Sequence, residues 1–193
     1  MIRTKNLESI LRNLNYQIKV NKGSPINLVV CGGTALLALG FIKRVTKDID
    51  VLGVYSSETG VQKIKKFPEW LTKAAKKVAR DYGLPQGWLN LGPAAQLETG
   101  LPDGLDKRLI AKCYGEYLTI YYISRIDQIF FKLYAAVDRN DYHVEDLFAL
   151  EPTTEELEKA IRWVLSQDVS LEFRLLLKNF LEKNAYEDIA EKI

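Results

Sequence analysis

The chain has 193 residues, of which 47% are hydrophobic and 27% charged, and its formal net charge is +2 at pH 7. This size and composition are typical of one globular domain with a helical appendage, and they exclude an intrinsically disordered chain. No apolar run is long enough to span a bilayer and no signal-peptide pattern is present, so we expect a cytoplasmic protein with no membrane partner.

The first part of the chain predicts a helix followed by two strands. Apolar residues at helical spacing predict an amphipathic helix over residues 5–19. The run INLVVC at 26–31 is rich in β-branched residues and predicts a strand. Thr34 is expected to cap a short apolar helix at 35–41, and a second strand is predicted at 49–54.

The middle of the chain predicts a helix, a long loop and a hairpin. Residues 58–82 have a helical pattern, which Pro68 is expected to split. A segment dense in Gly and Pro follows, with one short strand predicted at 88–91. The apolar runs at 108–114 and 116–124 predict two strands joined by a tight turn.

Helices are predicted for the rest of the chain. Apolar spacing predicts one helix over 126–137 and a short one over 143–150. Thr153 and Glu156 form a capping-box pattern at the start of the next helix. The last helix, about 170–183, is predicted from four apolar residues: Leu171, Leu175, Leu176 and Phe180.

The predicted fold class is α+β, with a small mixed sheet flanked by helices. We expect residues 1–151 to form one domain and residues 152–193 a helical segment packed on it. The two cysteines, Cys31 and Cys113, are both expected to be buried and reduced, although the sequence leaves a disulfide open. A single histidine and the absence of CxxC and HExxH patterns argue against a structural zinc site.

Positive charge is concentrated before residue 81. Residues 61–80 contain seven Lys or Arg and the single acid Glu69. Such a stretch can bind the phosphates of a nucleic acid, or it can be an ordinary solvated helix face.

Two aspartates alternate at the start of the second strand, in the sequence TKDIDVL. Since successive side chains of a strand point to opposite faces, Asp48 and Asp50 share a face, about 6.6 Å apart along the strand. Two carboxylates at this spacing can share the divalent cations that align a phosphate for in-line displacement. Asp48 can instead be a turn residue, whereas Asp50, between Ile49 and Val51, is costly to bury unless it is paired or binds a metal.

A glycine turn precedes these aspartates. Gly32, Gly33 and Thr34 come just before the predicted helix, where exposed backbone N–H groups can bind a phosphate. The glycine pair can also be only a tight turn. A dinucleotide-binding fold is the weaker hypothesis, because the chain lacks the full GxGxxG pattern and its acidic ribose partner.

The order strand, GGT, helix and TKDIDVL resembles the nucleotidyltransferase superfamily. GLPQGWLN and IDQIFFKLYAAVDRNDYHVEDL extend the resemblance to small bacterial proteins related to the AbiEii toxins and to the group called DUF6036, over about residues 25–150. The resemblance implies that the glycine turn binds the triphosphate and that the paired acids bind Mg²⁺ or Mn²⁺. The residues in these two implied roles are Gly32, Gly33 and Thr34 for the nucleotide, and Asp48 and Asp50 for the metal.

The same resemblance implies that a later lysine, arginine and aspartate complete the site, which here are Lys132, Arg139 and Asp146. Helical spacing places Lys132, Ala135 and Arg139 on one face, opposite the predicted apolar stripe, where two cations can neutralise phosphate charge. Lys132 and Arg139 can alternatively be ordinary exposed charges. The strands predicted at 109–113 and 117–123 lack the third carboxylate of classical members, so either Asp146 replaces it or the site is weakened.

The main hypothesis is therefore a Mg²⁺-dependent enzyme that moves a nucleoside monophosphate from a nucleoside triphosphate (NTP) to a hydroxyl group. The acceptor is expected to be the 3′ end of an RNA such as tRNA, bound by the basic helix at 61–80, or a hydroxyl of a protein. Resemblance to the AbiEii toxins implies a toxin or phage-defence role with an antitoxin partner, by analogy alone. The alternative is a catalytically degenerate module that binds a nucleotide or a partner on the same fold.

Overall fold

The computed structural model describes residues 1–139 and 141–193. Their contacts group into two compact units, Met1–Ser124 and Arg125–Ile193. The first unit contains a mixed sheet with helices, and the elements described in the second are all helices. The fold is α+β, which confirms the predicted class. The domain boundary expected at residue 151 stays a prediction.

One sheet organises the first unit. In the described residues its strands are β1 (Ile26–Cys31), β2 (Ile49–Ser56), β3 (Gly60–Gln62), β4 (Leu89–Asn90), β5 (Ile110–Gly115) and β6 (Leu118–Tyr122). The strand order is β3-β2-β1-β6-β5, and β4 pairs with β2 outside this path. The sheet is mixed because β1 runs parallel to β6 but antiparallel to β2.

Strand β1 lies at the centre of the sheet. Its consecutive residues Leu28, Val29 and Val30 have no exposed surface, as expected for a strand covered on both faces. At its carboxyl end Cys31 pairs with Asp50 of β2. This register brings the glycine turn that follows β1 beside the second of the paired aspartates.

The helices described in the first unit are α1 (Thr4–Val20), α2 (Gly32–Ala38), α3 (Glu69–Tyr82) and α4 (Gln96–Thr99). The predicted apolar stripe of α1 is confirmed, because its five members are buried: Leu7, Ile10, Leu11, Leu14 and Ile18. Helix α3 buries its own apolar side and contacts α1, where the Tyr82 hydroxyl donates to the Ser9 carbonyl at 3.1 Å.

The helix predicted over 58–82 is wrong in its first part. A turn and strand β3 occupy this part up to Gln62, residues 63–67 are irregular, and α3 begins at Glu69, directly after Pro68 at the N-cap. Gly60 has φ +68°, a conformation suited to a turn, and Ser56 pairs with Gly60 across the hairpin. Pairing with β2 satisfies backbone groups that the local sequence would otherwise place in a helix.

The helices described in the second unit are α5 (Arg125–Arg139), α6 (Tyr142–Phe148), α7 (Thr154–Gln167), α8 (Leu171–Lys183) and α9 (Glu187–Ala190). The predicted capping box is confirmed at the start of α7. The Glu156 N–H donates to Thr153 Oγ1 at 3.2 Å, and the Thr153 N–H donates to Glu156 Oε2 at 2.9 Å.

Helix α8 buries a different stripe from the one predicted. Of the four residues used to predict it, only Phe180 is buried, while Leu171, Leu175 and Leu176 are 74%, 62% and 51% exposed. The buried residues are Phe173, Leu177, Phe180 and Leu181. Two overlapping apolar patterns satisfy helical spacing in LEFRLLLKNFLEK, so spacing alone does not select the side that packs.

The cysteine prediction is half right. Cys31 is buried and Cys113 is exposed, and both are free thiols. Cys113 lies on the edge strand β5, whose outer residues face solvent. Among the described residues, no helix has the length and apolar character needed to cross a membrane.

Candidate functional site

The two predicted metal ligands lie at the start of β2. Asp48 directly precedes the strand and Asp50 is its second residue, and both are half-buried. Ile49 and Val51 have 1% and 0% of their surface exposed. Exposure therefore alternates along this segment, as it does when alternate side chains point to opposite faces of a sheet. This alternation agrees with the prediction that the two carboxylates share one side of the strand.

The glycine turn touches one of these carboxylates. A Cβ built on Gly32 would lie 2.6 Å from Oδ2 of Asp50, closer than any side chain tolerates. Gly32 also has φ +69°, which residues with a side chain rarely adopt. Position 32 requires glycine for both reasons, and the motifs that precede and begin β2 form one site.

Asn90 holds the other oxygen of Asp50. Strand β4 pairs with β2 in parallel, with Asn90 beside Asp50, and Asn90 Nδ2 donates to Asp50 Oδ1 at 3.2 Å. The amide orientation follows from its other contact, since Asn90 Oδ1 accepts from the Gly92 N–H at 2.8 Å. Asn90 is not among the site residues predicted from the sequence. The one local indication of its role is that it is a polar residue in the short predicted strand.

Thr34 has a structural contact that differs from its predicted role as a cap. It lies inside α2, which begins at Gly32 and has Cys31 at its N-cap. Its buried hydroxyl donates to the carbonyl of Asp48 at 2.6 Å and shares a 3.0 Å hydrogen bond with Thr46. Thr34 therefore fixes the backbone of the first aspartate. Its contact with a phosphate stays a prediction.

The guanidinium of Arg44 lies beside the second glycine of the turn. Arg44 is not among the site residues predicted from the sequence. A Cβ built on Gly33 would lie 3.2 Å from Nη2 and 3.7 Å from Nη1 of Arg44. Arg44 belongs to the basic segment between α2 and β2, and its position within the sequence KRVTK was the available signal.

In the second unit, Lys132 and Asp146 form a buried ion pair. Lys132 Nζ lies 2.7 Å from Asp146 Oδ2, with side-chain exposures of 4% and 1%. Lys132 was expected opposite the apolar stripe of α5, which is wrong, because it is buried together with Ile129, Leu133 and Ala136. The alternative that Lys132 is an ordinary exposed charge is also wrong. Burial of both charges is costly unless they are paired, and the pair meets this requirement.

Arg139 does not share the environment of Lys132. Its side chain is 72% exposed, and its Nε lies 3.2 Å from Oδ2 of the neighbouring Asp138. An exposed pair of this kind contributes little to stability. Helical spacing places Arg139 and Lys132 on one side of α5, but only Lys132 is buried, and a role for Arg139 in nucleotide binding stays a prediction.

Gln128 is a further buried polar residue, one helical turn before Lys132. It is fully buried, and neither polar atom of its side chain has a hydrogen-bond partner within residues 1–139 and 141–193. An unsatisfied buried amide destabilises a protein by about 1–3 kcal/mol. Spacing gave no sign of it, because an isolated glutamine on a helix is normally exposed.

The paired aspartates provide the donor atoms that Mg²⁺ and Mn²⁺ prefer. Magnesium sites in nucleotide enzymes commonly use one or two carboxylates and complete the shell with water and substrate phosphates. In the part of the chain that the structure describes, no group of three or more His, Cys, Asp or Glu forms a metal cluster. Asp48 and Asp50 supply donor atoms of the kind that such a site uses, and metal binding by them stays a prediction.

One family model matches most of the chain. The family model described as "Nucleotidyltransferase of unknown function (DUF6036)" matches residues 5–190, which include the glycine turn, the paired aspartates and the Lys132–Asp146 pair. Neither the curated proteins nor the solved structures gave a significant match.

Proposed function

This chain belongs to the DUF6036 family, described as nucleotidyltransferases of unknown function, and from this membership we propose that it is a Mg²⁺-dependent nucleotidyltransferase. The observation that supports the proposal best is the contact between the glycine turn and the second aspartate. Residue 32 lies against the Asp50 carboxylate, so a phosphate that binds at the turn would meet a metal that Asp48 and Asp50 hold.

The proposed reaction transfers the nucleoside monophosphate part of an NTP. The acceptor hydroxyl oxygen bonds to the α-phosphorus, the bond from that phosphorus to the bridging oxygen breaks, and pyrophosphate leaves with the electron pair. The hydroxyl proton passes to a carboxylate or to water. When bound, Mg²⁺ or Mn²⁺ would supply positive charge that offsets the negative charge of the triphosphate.

The residues of the first unit position the two carboxylates. The Thr34 hydroxyl fixes the Asp48 carbonyl, and the Asn90 amide fixes Oδ1 of Asp50. Preorganised groups of this kind lower a barrier because they need little rearrangement as charge develops. In the proposed enzyme, Asp48 and Asp50 are thus held ready for the metal before the nucleotide binds.

For the second unit, we propose that Lys132 stabilises charge on the transferred phosphate and that Asp146 holds the ammonium group in place. The resemblance implies both roles, and their 2.7 Å ion pair is compatible with them. Arg139 is proposed as a weaker, exposed contact to the nucleotide.

RNA is the acceptor that we propose first, because basic side chains cover the exposed side of α3. Three cations of the stretch at 61–80 are neutralised: Lys63 pairs with Glu98, Lys73 with Glu69 and Lys77 with Asp81. Lys76 and Arg80 are exposed, and in the described residues no ion pair involves them.

A toxin or defence role with an antitoxin partner is a further proposal, which rests on the resemblance to AbiEii toxins alone.

The test uses each of the four NTPs labelled at the α-phosphate, with Mg²⁺ and total tRNA. Transfer moves the label to RNA and releases unlabelled pyrophosphate. We expect Asp50→Asn to abolish transfer, while Asp103→Asn, which changes an exposed aspartate, leaves it intact. Equal transfer by wild type and Asp50→Asn would refute the assignment of the site.

A non-catalytic nucleotide-binding module is the second candidate. The observation that favours it is the position beside Asp50 on β4, where the chain has the amide Asn90 instead of a third carboxylate. This candidate predicts NTP binding without transfer to RNA or protein, and binding that survives Asp50→Ala.

A further inference from the structure

The basic segment at residues 43–47 is anchored beside the candidate site through Thr46. Thr46 forms an isolated antiparallel bridge with Ile2, through hydrogen bonds of 2.8 and 3.0 Å between their backbone groups. Its hydroxyl bonds Thr34 of α2 at 3.0 Å, and both Thr46 and Ile2 are buried. The segment is therefore fixed on the protein rather than free to move as an open loop.

This anchoring places one cation of the segment against the glycine turn. Arg44 is half-buried, and its Nη2 lies 3.2 Å from the position of a Cβ on Gly33. Lys43 and Lys47, on either side, are exposed. Because position 33 has no side chain, both the Thr46 methyl group and the Arg44 guanidinium lie close to its backbone.

The two neighbouring glycines thus face opposite charges. Gly32 faces the Asp50 carboxylate at 2.6 Å, whereas Gly33 faces the Thr46 methyl group at 3.0 Å and the Arg44 guanidinium at 3.2 Å, each measured from a built Cβ. Consecutive Cα atoms are about 3.8 Å apart, which is the scale of one phosphate group. A phosphate chain that meets the metal ligands at Gly32 would therefore meet a cation one residue further along.

We infer that Arg44 binds the β- and γ-phosphates of the nucleotide and so makes the site selective for triphosphates. This inference rests on the proposed function, because it takes the reacting α-phosphate to lie at the paired aspartates. A guanidinium suits the task, since its planar fork donates two parallel hydrogen bonds to phosphate oxygens. The bond that breaks releases pyrophosphate, whose charge Arg44 offsets as it leaves.

Binding measurements with full-length protein test the role. Isothermal titration would compare a non-hydrolysable NTP analogue with the corresponding monophosphate, both with Mg²⁺. We expect Arg44→Gln to weaken binding of the analogue roughly 10- to 100-fold and to change monophosphate binding less than about threefold. Arg44→Lys, which keeps the charge but loses the fork, should fall between wild type and Arg44→Gln.

Lys43→Gln is the matched control, because it removes the neighbouring exposed charge, and it should bind the analogue like wild type. Unchanged triphosphate affinity in Arg44→Gln would overturn the inference, as would equal losses for triphosphate and monophosphate. If circular dichroism shows that Arg44→Gln does not fold, the triphosphate and monophosphate affinities of Arg44→Lys are compared with those of wild type in the same way. If wild-type protein binds no NTP, the proposed function itself is refuted. This outcome differs from triphosphate binding that is unchanged by the Arg44 substitutions, which refutes only the role of Arg44.

Discussion

The carboxylate of Asp50 occupies the space where the side chain of residue 32 would begin. The distance from Oδ2 to a Cβ built on Gly32 is 2.6 Å, and the backbone at Gly32 has φ +69°. Residues 18 positions apart in the sequence are therefore interdependent, because the aspartate can hold its place only if residue 32 is glycine.

Gly32→Ala should both destabilise the protein and impair the site. The strained φ costs about 1–2 kcal/mol, and the clash with Asp50 adds to it and moves the carboxylate. The matched control is Gly40→Ala, because Gly40 has φ +85° but a Cβ there would meet no atom within 4 Å. Urea unfolding should show the backbone cost in both variants, with loss of nucleotide transfer only in Gly32→Ala. Equal transfer activities would contradict the proposed importance of the contact.

Asn90→Ala should weaken the response to Mg²⁺ without unfolding the protein. The amide fixes Oδ1 of Asp50, and loss of such a supporting contact typically lowers metal affinity about 10- to 100-fold. The Mg²⁺ dependence of transfer measures the effect. Asn27→Ala is the control, since Asn27 donates to the Tyr55 carbonyl in the same sheet. A similar Mg²⁺ response in both variants would show that the Asn90 contact is only structural.

Asn90→Asp should make stability depend on the metal. It places a third carboxylate beside Asp50, and like charges on paired strands repel without a cation. We expect a lower melting temperature than wild type in EDTA and a larger increase on addition of Mg²⁺ or Mn²⁺. Identical shifts for the two proteins would mean that no cation binds between these positions.

The Lys132–Asp146 pair allows structural and catalytic roles to be separated. Either single change, Lys132→Met or Asp146→Leu, removes the ion-pair partner of a buried charge and should cost about 3–5 kcal/mol in the free energy of unfolding. The double variant should recover most of that stability, because it removes both charges. It should nevertheless remain inactive if Lys132 acts on the nucleotide. A stable double variant with full transfer activity would restrict the pair to a structural role.

RNA binding by α3 should depend on its unpaired cations more than on its paired ones. Lys76→Gln/Arg80→Gln removes two exposed charges that have no ion pair in the described residues, and Lys73→Gln/Lys77→Gln removes two that are paired. Fluorescence anisotropy of labelled tRNA over a salt series should show a clearly larger loss of affinity and of salt dependence for the first double variant. Equal losses would argue that α3 is not an RNA-binding surface.

The ion pair between Arg125 and Glu156 should stabilise the second unit above pH 4.5 and not in acid. The Arg125 guanidinium, 2.6 Å away, holds the pKa of the Glu156 carboxyl below its ordinary value of 4.5. Because the folded-state pKa is depressed, the stabilisation is complete above the unfolded pKa and is lost as the pH falls through the folded one. Glu156→Gln keeps a capping side chain and should cost about 1 kcal/mol at pH 7. Its free energy of unfolding should approach that of wild type as the pH falls through the folded pKa, and a constant difference down to pH 2 would contradict this account.

Much of the secondary structure could be predicted because local rules decide it. The apolar stripe of α1 repeats at helical spacing, and Thr153 with Glu156 forms a capping box whose two hydrogen bonds span only three residues. The alternation that places Asp48 and Asp50 on one side of β2 is equally local, since it depends only on the geometry of an extended chain.

Predictions failed where two patterns satisfied the same local rule. Residues 60–62 lie in a stretch with helical spacing, yet they pair with β2 as a hairpin. Helix α8 contains two overlapping apolar stripes, and the one with Phe173 and Leu177 is buried. In each case the choice depends on a partner distant in sequence, which spacing does not contain.

The sequence by itself determined the α+β class, most of the longer helices, and the presence of a glycine turn and two alternating aspartates, because these follow from periodicity and short motifs. Only the tertiary structure decided which side chains surround that motif. Asn90 reaches Asp50 through the register of β4 with β2, Arg44 reaches Gly33 because Thr46 anchors its segment, and Lys132 is buried because Asp146 neutralises it. The physical reason is that burial and charge pairing depend on which residues the fold brings within a few ångströms, and sequence separation does not encode that distance.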